Sequence, residues 1–270
     1  MIESSRLVNL LRMTIKIGVL IKFVPDTNSR IQLKGDSVDE SELKYVINPY
    51  DEFAIEEAIK TKELWAKSNI AAEIVGVCLG PTAAAKALRD AFAVGVDRGL
   101  HIVDNAKAAT DARSISQALA EVCKGEGFHL IFAGKQAVDS DSHAVAVMVA
   151  ERLKMPHISV VSKCEFEGST SVKVERDVEG GMKDVYKIKL PALITANKGL
   201  NKMRLASLPG IRAAAKKELK EIPLPATKIG TKLSSWGLPP ERGQVKMIEG
   251  EPAQQAAELV RLLHEEAKVI

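Results

Sequence analysis

"HLIFAGKQAVDSDSHAVAVMVAERL", residues 129–153, passes from a short apolar run through a polar loop into a segment with helical spacing. A continuous apolar run of this length suits a strand buried on both faces, and a helix directly after it is half of a βαβ unit. The loop between them lies where parallel sheets bind ligands, beyond the carboxyl end of a strand. Within the ten residues 134–143 it holds Gln136, Asp139, Ser140, Asp141, Ser142 and His143. Those groups suit either a ligand cradle or a hydrolytic site.

The same grammar extends in both directions. "IKIGVLIKFV" (15–24) reads as a buried strand, and "NPYDEFAIEEAIKTKELW" (48–65) as a helix with Asn48 at the N-cap and Pro49 in its first turn. "AAEIVGVCLG" (71–80) is the next strand and "PTAAAKALRDAFAVG" (81–95) the next helix, closed by Gly95. "GLHIVD", "DARSISQALAEVCKGEG" and "FHLIFAG" continue the strand and helix alternation. Short connections between alternating elements predict a doubly wound, mostly parallel α/β sheet with helices on both faces.

Near residue 158 the pattern changes. "VSKCEFEGSTSVKVERDVEGGMKDVYKIKL" alternates apolar and polar residues around "EGST" and "EGG", which predicts an antiparallel extension of two or three strands. "PALITAN" (191–197) is a further buried strand. "KGLNKMRLASLPGIRAAAKKELKEI" (198–222) begins as a loop and turns helical near Pro209, so that Arg212, Lys216, Lys217 and Lys220 fall on one helix. The prolines at 223, 225, 239, 240 and 252 keep the remainder out of the sheet, and "PAQQAAELVRLLHEEAKV" closes the chain as an amphipathic helix. The expected organisation is an N-terminal extension at 1–12, an α/β domain at 13–222, and a C-terminal arm at 223–270 whose amphipathic helix needs another surface to lie on.

Charge excludes little but is informative. Thirty-eight basic against 35 acidic residues, a net charge of +3, gives no reason to expect nucleic acid as a partner. No apolar run is long enough to insert in a membrane. The three cysteines, Cys78, Cys123 and Cys164, have neither zinc nor disulfide spacing and read as reduced thiols of a cytoplasmic protein. The five histidines fall in different elements, so no metal site is expected.

The first strand–helix turn, "KFVPDTNSR", lacks the glycines of a dinucleotide fingerprint, and no phosphate loop with its lysine occurs. Asp139, Ser142 and His143 together hint at a hydrolytic triad. Neighbours in sequence seldom take triad geometry, however, and Asp139 and Ser142 suit the N-cap of the following helix, whose terminus favours an anion. Leu208, between "RLAS" and "PGI", is either a hydrophobic staple or an exposed docking anchor.

Six ordered segments then make a resemblance specific: "INPYDEFAIEEAIKTKE", "GVCLGP", "GVDRGLHI", "AGKQAVDSD", "VERDVEGG" with "KLPALITA", and "NKMRLASLPGI". From Met13 onward the chain resembles the β-subunit family of electron transfer flavoproteins, whose fold is like that of the adenine nucleotide α-hydrolases. The resemblance implies that 13–222 is a nucleotide-binding domain and that the arm at 223–270 packs on a partner, an α subunit that holds most of an FAD, in a heterodimer. It carries electrons from flavin dehydrogenases, such as acyl-CoA dehydrogenases, to a membrane quinone oxidoreductase, with no catalytic residues in this chain. It also implies a structural AMP here, or in electron-bifurcating members a second FAD at which NADH is oxidised. A nucleotide hydrolase of the same superfamily is the reading from the enzyme class.

Position by position, the implied nucleotide site runs from Leu20 at the end of the first strand, through Asn48, Pro49 and Asp51, to Leu79. It is completed by the loop of Gly134, Lys135, Gln136, Ala137, Val138, Asp139, Ser140, Asp141 and Ser142, with Val145 beyond. Tyr50 matches an aromatic position facing the flavin of the α subunit. Leu208 matches the leucine inserted into a dehydrogenase pocket, flanked by Arg204, Leu205, Pro209 and Ile211, with Lys216 and Lys217 as steering charges. The chain departs from the family at Val145 and Ala146, where many members have threonine or valine followed by glycine, and at Asp184 and Tyr186, where glutamate or glutamine and an aliphatic residue are usual. A glycine at the first of these places lets backbone approach a phosphate closely.

Overall fold

The computed structural model describes residues 14–240 and 245–270. The expected extension at 1–12 lies outside the described residues. Strand β1 (Ile15–Ile21) opens the fold, and β2 (Phe23–Pro25), β3 (Leu33–Lys34), β4 (Ser37–Val38) and β5 (Tyr45–Ile47) form a small excursion in which β5 returns antiparallel to β2. Helix α1 (Pro49–Lys67), β6 (Ala72–Gly80), α2 (Ala85–Val94), β7 (Arg98–Val103), α3 (Ala112–Glu126), β8 (Leu130–Gly134) and α4 (Val145–Leu153) then alternate as predicted. Strands β9 (His157–Glu167), β10 (Ser171–Asp177) and β11 (Lys183–Lys189) make the antiparallel extension. Strand β12 (Ala192–Ala196) returns to the parallel core.

Apart from β2 with β5 and β3 with β4, which form two small two-stranded sheets, the strands belong to one nine-stranded sheet in the order β11-β10-β9-β12-β8-β1-β6-β7, with a ninth strand beside β7. Connections from β1 run to β6 and β7 on one side and then cross to β8 on the other. The chain therefore reverses winding direction at β1 and β8, and a crevice opens beyond their carboxyl ends. Ile17, Val19 and Ile21 of β1 face α1 and α2 through Ile55, Ile59 and Leu88. Leu20, with Val75, Val77 and Ile131, faces α3 and α4 through Leu119, Cys123 and Val149. Two apolar faces on one sheet explain why these strands lack polar alternation.

The ninth strand corrects the reading of 208–222. Helix α5 covers only Leu208–Ala214, and β13 (Leu219–Pro223) pairs parallel with β7. Lys216 and Lys217 sit in the turn between them, and Lys220 is on the strand. "ELKEI" looks helical in isolation, but the open edge of β7 offers a row of unpaired backbone groups, and pairing with them decides the outcome. Pro223 is tolerated because it ends an edge strand. The domain does not stop at 222 either: Ile222 and Leu224 pack against the Leu100–Val149 side of the core, and the chain then crosses its own domain before reaching α6 (Pro252–Arg261). Among the described residues no helix is long and apolar enough to cross a membrane.

Candidate functional site

A cavity of about 1440 Å³ occupies the crevice beyond β1, β6, β7 and β8. Its floor is made by strand ends: Leu20 from β1 with Lys22 just after it, Leu79 and Gly80 from β6, and Ala133 and Gly134 from β8. Of the predicted ligand residues, Asn48, Asp51, Lys135, Gln136, Ala137, Asp139, Ser140, Ser142 and Val145 line it as well. Pro49, Tyr50, Val138 and Asp141 are not in the lining. Tyr50 instead lies half-buried, with the Lys135 ammonium 5.0 Å from its ring centroid.

Asn48 and Asp51 hold the floor together. Asn48 stands at the N-cap of α1, but its side chain makes no capping bond there. It reaches across to the loop after β8, donating from Nδ2 to Gln136 O at 2.8 Å and accepting from Val138 N at 3.1 Å. Asp51 is buried, and its carboxylate accepts from Lys22 N at 2.7 Å, Asn48 Nδ2 at 2.9 Å and Gly134 N at 3.0 Å. One side chain therefore ties the end of β1, the end of β8 and the start of α1. Burial pushes its pKa up to about 7, against the lowering effect of those hydrogen bonds. Gly134 is required at this junction: a Cβ would overlap Asp51 Oδ1 and come within 2.7 Å of Tyr50 Cβ.

The loop takes a shape the sequence does not announce. Lys22 pairs with Asp139 at 2.6 Å, and Gln136 donates to Asp141. Asp141 and His143 both adopt positive φ, 46° and 52°. Helix α4 therefore starts only at Val145, with Ala144 as its N-cap and no side-chain cap. Asp139 and Ser142 are not the expected caps, since the left-handed residues carry them away from the helix start. Without a side-chain acceptor, the first N–H groups of α4 are left for another partner at the cavity wall. No hydrogen bond joins Asp139, Ser142 and His143 among the described residues, and the Asp139 carboxylate is engaged by Lys22, so the triad arrangement does not form.

Several lining residues escaped the sequence reading. Asp104, buried after β7, accepts from Ala108 N and Ala109 N, both at 2.9 Å, and shapes the loop that brings Lys107, Ala109 and Thr110 to the wall. Its place directly after an apolar strand is the signal that could have found it. Ser37, Val38 and Glu40 come from the small hairpin, and Ile229, Lys232, Leu233 and Trp236 from the arm. Nothing local marks those.

The predicted docking residues lie apart from the cavity. Leu205 is 93% exposed, Leu208 75% and Ile211 53%. They project from a braced loop: Arg204 pairs with Glu56 at 2.9 Å and with Glu63 at 2.6 Å, while Asn201 donates to Phe53 O and Glu57. Pro209 sits in the first turn of α5, where Ser207 Oγ caps Gly210 N at 3.1 Å. Lys217 is no steering charge. Its ammonium donates to Phe92 O at 2.9 Å and Val96 O at 2.6 Å, closing the carboxyl end of α2, and burial lowers its pKa. Lys216 is exposed.

Comparison with known proteins follows the same outline. Residues 36–227 match the family described as electron transfer flavoprotein domain. The chain is 42% identical over 262 residues to the electron transfer flavoprotein subunit beta of Bacillus subtilis, covering 93% of this chain and 98% of that one. Proteins of the same name from Methylophilus methylotrophus and Syntrophomonas wolfei are 34% and 35% identical. These matches cover 93% and 95% of this chain, and 98% and 99% of theirs.

Proposed function

The chain belongs to the electron transfer flavoprotein β-subunit family, and on that premise we propose that it is the β half of an αβ heterodimer carrying electrons between flavoproteins. The donors are flavin dehydrogenases of the acyl-CoA dehydrogenase kind and the acceptor is a membrane quinone oxidoreductase, with the heterodimer in the bacterial cytoplasm. FAD, held mainly by the α subunit, supplies the redox chemistry when bound. This chain contributes a held nucleotide, AMP, and the docking surface.

The observation that supports this reading is the double use of α1. Its first turn carries Asn48 and Asp51 on the cavity floor, and farther along it carries Glu56 and Glu63, which brace the exposed leucine loop through Arg204. A nucleotide that stabilises the floor thereby stiffens the element on which the docking loop is mounted. The cavity fits a nucleotide: it offers free N–H groups at the start of α4, and the Lys135 and Lys232 side chains line it to receive an anion. Phosphate would lie against the α4 start.

Co-expression with the α subunit, purification of the complex, and extraction of its nucleotides test the proposal. One FAD and one AMP per heterodimer are expected. Failure of the two chains to form a flavin-containing complex overturns it. The cavity volume favours one second reading, because about 1440 Å³ exceeds the roughly 300–1,000 Å³ of an ordinary small-ligand pocket. Two FAD per heterodimer would assign the bifurcating role instead.

Docking carries its own expectation. A transient partner uses a small interface, in which one anchored side chain can account for much of the affinity. Leu208→Ala is expected to slow electron transfer from the dehydrogenase about tenfold, corresponding to roughly 1.4 kcal/mol, while heterodimer yield and flavin content stay as in the wild type. A loss of stability with unchanged transfer kinetics would make Leu208 a staple and not an anchor.

A further inference from the structure

The arm re-enters its own domain before it leaves it. Lys228 N donates to Gln117 Oε1 at 2.8 Å, and Gly230 N and Thr231 N both donate to Asp111 Oδ2. Asp111 divides its two oxygens: Oδ1 accepts from Ser114 N at 2.7 Å and caps α3, while Oδ2 holds the arm. Gly230 fits this close approach, since a Cβ there would stand 3.0 Å from Asp111 Oδ2 and 3.1 Å from Arg113 Cδ. Clasped in this way, the segment turns Ile229, Lys232, Leu233 and Trp236 toward the cavity. Ile229, Leu233 and Trp236 nevertheless remain 55%, 57% and 50% exposed. Three large apolar side chains in a row, half-covered and facing a cavity, are a surface in want of a flat apolar partner.

We propose that residues 229–236 form a strap that binds the planar ring of the nucleotide, with Trp236 as the stacking surface, Leu233 and Ile229 beside it, and Lys232 reaching toward an anionic group. The strand ends and the start of α4 then hold the nucleotide from below, and the strap covers it from above. Stacking on the strap stabilises the bound ligand without adding to the encounter, so its loss is read as faster release. This inference rests on the nucleotide reading of the cavity given above.

The test is the rate at which the extractable nucleotide leaves the purified heterodimer when excess free nucleotide of the same kind competes, AMP or FAD according to what extraction finds. Trp236→Ala is expected to release it at least tenfold faster, and Trp236→Phe, which keeps a planar ring, to stay within about threefold of the wild type. Asp111→Ser keeps a side-chain oxygen for capping α3 but cannot reach both the helix and the strap, and is expected to accelerate release as well. Release from Trp236→Ala at the wild-type rate overturns the strap while leaving the nucleotide reading intact. A wild-type heterodimer from which no nucleotide can be extracted overturns both.

Discussion

Asp51→Ala is expected to destabilise the chain by about 2–5 kcal/mol at pH 5.5 and to empty the nucleotide site, as read from thermal melting and from extracted nucleotide. The substitution leaves Lys22 N and Gly134 N without their acceptor, and each buried donor so orphaned costs roughly 1–3 kcal/mol. Asn48 keeps its bond to Gln136 O, so its loss is smaller. The pH dependence distinguishes this buried bracket from a common surface carboxylate. Burial raises Asp51 from 3.8 to about 7, so between those values the folded chain binds more protons than the unfolded one. Its contribution is fully present below pH 4 and is lost as pH rises through 7, by on the order of 4 kcal/mol. The stability gap between wild type and Asp51→Ala should therefore narrow from pH 5 to pH 8. A gap that widens over that range would mean that the carboxylate is held ionised in the fold, and the bracket as described would be wrong.

Truncation after Gly237 is expected to abolish association with the α subunit while leaving the sheet, the strap and the melting transition of the domain in place. What it removes has little to pack on in this chain. Leu238, Val245 and Met247 are 58%, 82% and 81% exposed, and Leu259 and Val260 of α6 are 48% and 56% exposed. The helix is well formed, with Pro252 in its first turn and the Glu251 and Gln254 side chains closing a capping box. Its apolar face, however, is left open. Burying each large side chain against a partner contributes about 1.5–3 kcal/mol, so five of them outweigh what a transient docking loop supplies. Cutting at 223 instead would also remove the strap and confound association with nucleotide loss. Gel filtration of the co-expressed chains decides the matter: a stable heterodimer formed by the shortened chain would place the subunit interface elsewhere, the exposed Met182 and Val185 of the antiparallel extension being the next surface to test.

The alternation of apolar runs with helical segments specified the parallel core, because a strand covered on both faces has no polar positions and each such run is bounded by its own turn. The same logic specified the antiparallel extension, where one face meets water and alternation returns. The loop after β8 was legible as a wall of the crevice for a similar reason: a polar loop between a buried strand and its following helix lies beyond the carboxyl end of the sheet. Position along the chain also marked Leu208, since a leucine between a capping serine and a helix-starting proline is not needed by the local fold.

Tertiary structure alone decided the rest. Residues 219–223 became a strand because the edge of β7 was there to pair with, a contact more than a hundred residues distant in sequence. Asp139 does not cap its helix because the positive-φ residues Asp141 and His143 carry it away from the helix start, and it pairs with Lys22, just after β1, instead. Lys217 turned inward because the end of α2 presents carbonyls that need a donor. Asn48 and Asp51 carry no local sign that they bracket two strands, and the side chains of 229–236 carry none that they face the cavity. In each case the deciding partner lies far along the chain. Local propensity describes what a segment prefers alone, whereas unsatisfied backbone groups, charges and apolar surface acquire partners only when the sheet brings distant ends together.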